Sequence, residues 1–335
     1  MNYSERVSEI RCHRALDNGG PDYPALVHYA TLAASSHNTQ PWVFKLETDR
    51  VWILPDLSRR CPAVDPDDHH LYASLGCAAE NLLLAGEAAG LRGHYGFEPS
   101  ASGVRIDFEA SEPSRSPLFE AIPARQCSRV AYDGTPLTAA QLDELEAAGS
   151  GDGVSTMLLT DHDQKEGVAQ YVAEGNCAQF SDAAWARELK QWIRFSAREA
   201  VSAGDGLYGP VMGSPSVPRW LGLMAMRFSF SADKQNQADY RNILSSSALA
   251  VVSSEVDDRA HWVEAGRCYQ RLALQATVMG LKTAFINQPV EVASLRPEFA
   301  RFLGIGDRRP DLVLRIGYGP ETPHSLRRPV EAVIA

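Results

Sequence analysis

Apolar stripes of helical period alternate along the chain with short runs that read as strands. Residues 24–34 carry Leu26, Val27, Ala30, Leu32 and Ala33, which predicts a helix. Ser35-Ser36-His37-Asn38 breaks the stripe with turn formers, and Pro41 forbids its return. Residues 42–46 and 51–54 predict two strands across a polar hairpin. Asp65-Pro66 offers a capped helix start, and Leu71, Leu75, Ala79, Leu82, Leu83 and Ala89 carry that helix to a closing Gly90. Residues 104–108 alternate like a strand, and the Ser-, Pro- and charge-rich stretch 111–118 predicts a linker. Beyond it come a short helix over 138–148, a strand over 154–160 and a long helical region over 168–201. Residues 204–218 are rich in Gly and Pro and read as a mobile lid or a plain surface loop. A strand over 248–253, a helix over 258–279 closed by Gly280, and a strand over 311–318 complete the pattern.

The pattern repeats. A shift of 190 positions sets Gly76 on Gly266, Leu82 on Leu272, Leu84 on Leu274, Gly90 on Gly280, Leu91 on Leu281 and Arg92 on Lys282. Both copies are helices that follow a strand and end in Gly-Leu-basic. A duplicated α+β unit accounts for this; the alternative is two amphipathic helices that share a C-cap by chance.

The 335 residues are enough for two domains or one large one. The net charge of −10 lacks the electrostatic pull that nucleic acid and anionic membranes reward, so neither partner is expected. No run approaches the roughly 20 apolar residues of a membrane helix, and the polar start Met1-Asn2-Tyr3-Ser4-Glu5-Arg6 does not read as a secretory signal. Six scattered cysteines without a C-x-x-C pair suit reduced thiols, hence a cytoplasmic location.

Three segments could carry chemistry. Ser35 to Trp42 concentrates hydrogen-bonding groups at a helix-to-strand junction. Arg125-Gln126-Cys127-Ser128-Arg129 sets two guanidiniums four apart with small polar residues between them, which suits an anion; a solvated basic turn is the plain alternative. Arg327-Arg328-Pro329 could complete a phosphate clamp with that pair. Val64-Asp65-Pro66-Asp67-Asp68-His69-His70 invites a metal, but adjacent helix residues do not share a face. A capped helix start with solvated charges is expected there, and no metal. The usual dinucleotide and P-loop glycine signatures are absent.

These residues resemble a family. Ser35-Ser36-His37-Asn38-Thr39-Gln40-Pro41-Trp42 resembles the PSxxNxQPW segment of the FMN-dependent nitroreductase superfamily, and Arg125 to Arg129 resembles its RxSxR phosphate motif. The helices that end at Gly90 and Gly280 are similar to that family's G…NLxLAAxxxGL helix. The HNTQPW form, Asn287-Gln288-Pro289 and Leu314-Arg315-Ile316-Gly317-Tyr318 with Arg327-Arg328 resemble its fused, Acg-like branch. In ordinary members the arginine motif precedes the Gln-Pro-Trp segment; here it follows. Two fused units explain the order.

The resemblance implies an α+β nitroreductase-like fold in two halves, 1–110 and 119–335, joined as a pseudo-dimer with a lid insertion over about 175–235. It implies one FMN per chain. Ser35, Ser36 and Asn38 would reach it from the first half. Arg125, Cys127, Arg129, Arg327 and Arg328 would hold its phosphate, and Asn287 and Gln288 would meet the flavin's N5 edge. The implied activity is NAD(P)H-dependent reduction of a small electron-poor acceptor, a nitroaromatic or quinone. The alternatives are FMN sequestration under a closed lid, or an FMN-dependent oxidase or dehydrogenase of a small metabolite. No catalytic residue is named, and monomer and homodimer both remain open. Two positions depart from the pattern: Ala34 replaces the proline, and Cys127 replaces the serine of the phosphate motif with a weaker hydrogen bonder.

Overall fold

The computed structural model describes residues 2–16 and 22–335. Its frame is two four-stranded antiparallel sheets. The first contains β1 (Trp42–Leu46), β2 (Arg50–Pro55), β3 (Leu91–Glu98) and β4 (Gly103–Ala110), in the order β1-β2-β4-β3. The second begins with β5 (Val154–Leu159). An insertion follows, carrying the two-residue parallel pair β6 (Ile193–Arg194) and β7 (Leu207–Tyr208). The sheet then resumes with β8 (Ala248–Ser254), β9 (Lys282–Phe285) and β10 (Arg309–Gly317), in the order β5-β8-β10-β9. In each half a 20-residue helix links the second strand to the third: His69–Ala88 in one, Arg259–Val278 in the other. The connectivity is therefore the same twice, and the repeat read from the sequence is a repeat of topology.

The two long helices pack on each other, and glycine is what lets them. A Cβ on Gly76 would lie 1.9 Å from the Val263 carbonyl oxygen, and one on Gly266 would lie 1.9 Å from that of Ala73. Gly76 and Ala73 each have their counterpart one repeat away in Gly266 and Val263, so the contact is reciprocal, as across a two-fold axis. Around it a continuous apolar core draws on both halves, from Tyr29 and Phe44 to Tyr269 and Leu314.

The halves also interlace. The C-terminal Ile334 pairs beside Phe44 on β1, with the Phe44 N–H donating to the Val333 carbonyl at 2.7 Å. Within the second half, Cys127 pairs beside Thr283 on β9, and the Ser128 N–H donates to the Thr283 carbonyl at 2.9 Å.

Several elements lie where the pattern put them. Thr138 caps Ala139–Ala148, Asp258 caps Arg259–Val278, and Gly90 and Gly280 adopt φ of 79° and 74°. The first long helix starts at His69, not at Pro66. Asp65 still caps it: its carboxylate accepts the His70 and Leu71 N–H groups, both at 3.0 Å, from a turn folded back beneath the first residues. The solvated charges expected there are a correction, because Asp65, His69 and His70 are all buried. The helical region expected over 168–201 comprises three helices, His162–Ser181, Ala183–Trp192 and Ala197–Ala203. Among the described residues, no helix is long and apolar enough to cross a membrane.

Candidate active site

The helix Tyr23–Thr31 ends early, and residues 35–40 form a tight loop under strain. His37, Asn38 and Gln40 adopt φ of 49°, 54° and 54°, a left-handed region that non-glycine residues rarely enter. Arg327 over-determines that loop. Its guanidinium donates to the carbonyls of Thr31 (2.8 Å), Leu32 (3.2 Å) and Ala33 (3.0 Å) and to Asn38 Oδ1 (2.9 Å). Asn38 Nδ2 in turn donates to the Gly206 and Leu326 carbonyls. Gln40 Nε2 donates to the Gly204 carbonyl at 2.9 Å. The loop, the C-terminal tail and the start of β7 are thus one knot.

Beside the knot lies a small cavity of about 50 Å³ lined by Arg11, Arg125, Arg129 and Arg327, with Ser35 and Cys127. Arg125 is 3% exposed. Its Nη2 reaches the Leu32 carbonyl at 3.4 Å, while its Nε and Nη1 have no partner. None of the four guanidiniums pairs with a carboxylate among the described residues. Burial holds Arg11 well below the ordinary arginine range, and the charges of Arg327 and Arg125 push it further down. Burial and Arg125 bring Arg327 down to about 9. Four like charges packed around buried, unanswered N–H groups form a receptor for a small anion.

Ser35, Arg129, Leu207 and Phe285 also line a second cavity of about 220 Å³. Ser36, His37, His70, Asn287, Gln288 and Glu291 supply its polar wall; Trp185 and Leu207 come from the insertion. Burial, then the charges of Arg129 and His70, lowers His37 to about 4, so it is neutral at physiological pH. Burial raises Glu291 against the opposing His70 charge and the Gln179 hydrogen bond. Gln288 Nε2 donates to Asn176 Oδ1 at 3.1 Å, and its Oε1 is buried without a partner.

The structure therefore brings Ser35, Ser36, Asn38, Arg125, Cys127, Arg129, Asn287, Gln288 and Arg327 around two adjoining cavities. Arg327 shapes the loop with most of its N–H groups. Arg328 is a correction: its chain turns outward to the Gln40 and Ala332 carbonyls and toward Asp56, and it lines neither cavity. Sequence reasoning missed Arg11, a lone arginine after an eight-residue helix, which nothing local marks as a site residue. It also weighed His70 only as a metal ligand. Asp65, His69 and His70 do converge, with one ligand atom from each within 4.8 Å of the others. Yet both Asp65 oxygens accept N–H bonds from the helix N-terminus, and that positive end opposes a dication.

No protein-family model matches the chain. The chain is 26% identical to "Putative NAD(P)H nitroreductase Rv3131" of Mycobacterium tuberculosis (strain ATCC 25618 / H37Rv) over 96% of its length and 94% of that protein. It is 22% identical to "Putative NAD(P)H nitroreductase acg" of the same strain over 92% of its length and 93% of that protein. Among solved structures, it is similar to an NADPH:FMN oxidoreductase from Vibrio harveyi complexed with NAD+ (TM-score 0.38, 15% identity, 64% of this chain and 73% of that one). It is also similar to a nitroreductase with bound FMN from Bacteroides fragilis NCTC 9343 (TM-score 0.37, 17% identity, 62% and 90%). The chain is thus similar, over nearly its whole length and that of its relatives, to proteins named NAD(P)H nitroreductase, the acg protein among them.

Proposed function

We propose that the chain is an FMN-dependent oxidoreductase that draws on NADH or NADPH and reduces a small electron-poor acceptor of the nitroaromatic or quinone type. The observation that carries this reading is Arg125, a buried guanidinium with two unanswered N–H groups inside a cluster of four arginines. A phosphate monoester dianion meets that demand, because its oxygens accept forked guanidinium bonds. The larger cavity next to it suits a flat heteroaromatic ring, with Trp185, Leu207, Phe285 and Leu312 for its faces and a polar wall for its nitrogen and oxygen edges. The near-full-length relatives carry the name NAD(P)H nitroreductase, in keeping with this.

When bound, the flavin supplies hydride transfer. The chain's own residues do the rest. Arg125 and Arg129 hold the phosphate, with Arg11 closing the pocket. Ser35 and Ser36 reach the cofactor from the first half, 1–110. Asn287 and Gln288 meet the ring edge from the second half, 119–335. Trp185, Gln179 and Leu207, from the insertion over about 175–235, exclude water as a lid. One flavin per chain follows, because the arginine set occurs once.

A second reading has its own support. The Asn38 carbonyl accepts the Gly206 N–H at 3.2 Å while Asn38 Nδ2 returns to the Gly206 carbonyl, and Asp205 pairs with both Arg59 and Arg194. A lid latched this firmly suits a protein that sequesters flavin and turns over slowly. Visible absorbance under anaerobic NADPH or NADH separates the two: prompt bleaching of the 450-nm region supports the reductase, and a yellow protein that resists both nicotinamides supports sequestration. Bleaching only by a metabolite, with hydrogen peroxide released in air, would overturn both in favour of an oxidase.

A further inference from the structure

His70 sits at the wall of the larger cavity with both ring nitrogens engaged. Nδ1 lies 3.4 Å from Asp65 Oδ1, and Nε2 lies 3.2 Å from Asn287 Nδ2. The direction of the second bond is fixed from the far side. Asn287 Oδ1 accepts the Val313 N–H at 2.8 Å, so its amide NH2 must be the group that faces His70. An NH2 can only donate, so Nε2 is an acceptor and the ring proton is on Nδ1, directed at Asp65. Asp65 is locked in turn by the two helix N–H groups it caps. The result is a directional chain from helix N-terminus to Asp65, His70, Asn287 and the β10 backbone.

We infer that His70, braced by Asp65, is the positioning residue that holds the Asn287 amide at the cavity, and that gaining a proton on Nε2 releases that amide. In the protonated ring Nε2–H points at an NH2 group, and two donors repel. Turning the amide over would bring its NH2 against the Val313 N–H, a second conflict between donors. Neither orientation of Asn287 satisfies a charged His70, so the amide lets go. Glutamine in that position would supply an acceptor but take no proton, so it would remove this response.

The charged and titratable surroundings bear on where this happens. Burial pushes His70 down, but the Asp65 hydrogen bond and charge, with Glu291 from the helix Gln288–Glu291 and Asp67 from the preceding turn, raise it above the ordinary histidine value. His69 stands edge-on beside it at 4.8 Å, and His37 and Asp311 feel its charge. With the folded value raised, the tie to Asp65 stabilises the fold most in acid and fades as pH rises through that value. The cavity responds with the opposite sign, losing the Asn287 bond as pH falls.

The inference rests on the flavin reading for what Asn287 faces, but its first test does not. In ligand-free, full-length protein, 15N–1H correlation of the His70 ring and of the Asn287 side-chain amide, assigned by His70→Gln and Asn287→Asp, should show the Nδ1–H tautomer at pH 8. Both signals should then move with one midpoint on acidification. An Nε2–H tautomer, or an Asn287 amide that stays put while His70 titrates, overturns the inference. The second test titrates FMN and riboflavin onto the apoprotein by fluorescence quenching between pH 5.5 and 8.5. FMN alone would mislead, because its phosphate loses charge near pH 6. Riboflavin affinity should fall on the order of tenfold toward acid in the wild type and stay flat in His70→Gln. An equal slope in the variant overturns the inference. Failure of both flavins to bind at any pH would overturn the proposed function, while the ligand-free spectra still decide the role of His70.

Discussion

The first sheet meets the core with one face, and the second is buried on both. Burial alternates along β2 and β4, whereas β8 and β10 are buried at every position. The topology is the same; the segment between the first two strands is not. Between β1 and β2 it is a three-residue hairpin, and between β5 and β8 it runs from 160 to 247 and brings a second layer of helices plus the residues over the cavity. The first half contributes a strained loop, Arg11 and half of the helix pair, while the second contributes Arg125, Arg129, Arg327 and the insertion. Duplication supplies the frame, and the site lies where the copies have diverged.

Breaking what the halves share should have the largest effect. Gly266→Val puts a branched side chain where even a Cβ meets the Ala73 carbonyl at 1.9 Å, so the helices must part. We expect a loss on the order of 3–5 kcal/mol or failure to fold, read by chemical denaturation. Removing what only one half has comes next. Arg125→Ala deletes two unanswered charged donors and should weaken FMN binding by about 3 kcal/mol, roughly 100-fold, with little change in melting temperature. Undiminished binding would place the phosphate elsewhere.

The doubly covered sheet makes its own prediction. Asp311 is fully buried beside the bulge between Pro310 and Leu312 on β10, and burial raises it to about 7 against the opposing Arg309 charge. A carboxyl raised in the folded state binds its proton more tightly there than in the unfolded chain. Stability should therefore fall as pH rises from about 4 toward 7, by at most about 1.4 kcal/mol per unit, and Asp311→Asn should flatten that slope. Denaturation midpoints across that range check it. The smallest effect is expected at the latch: Asp205→Asn removes the pairs with Arg59 and Arg194 and should cost about 1 kcal/mol, seen as a several-fold faster release of flavin in stopped flow.

Legibility in the sequence followed the same division. The shared frame was written in periodicity and caps: the apolar run 248–253, the capping residues Thr138 and Asp258, and the paired glycines Gly90 and Gly280 all announced their elements. What diverged was harder to read. The helix Ala232–Leu244 buries only Asp239 and Ile243, too few apolar positions to show a stripe. β3 contains Gly93 and Gly96 and has no fully buried residue, so its strand pattern is weak. Arg125, Cys127 and Arg129 were visible because they share one short segment. Arg11 and His70 reach the site through tertiary contacts, Arg11 from beyond an N-terminal helix and His70 through a carboxylate folded back from five positions earlier. Asp65 and His70 looked like solvated charges because nothing local shows that the turn tucks beneath the helix.

Two fused halves that build one flavin site should bind one cofactor, and the stoichiometry of bound FMN tests that most directly. Apoprotein reconstituted with excess FMN, freed of unbound flavin and then denatured, should release one FMN per chain, and Arg125→Ala should release far less under the same wash. Two FMN per chain would mean that each half keeps a site of its own, and none from a folded chain would mean that the arginine cavity serves a different anion; either result would contradict the account.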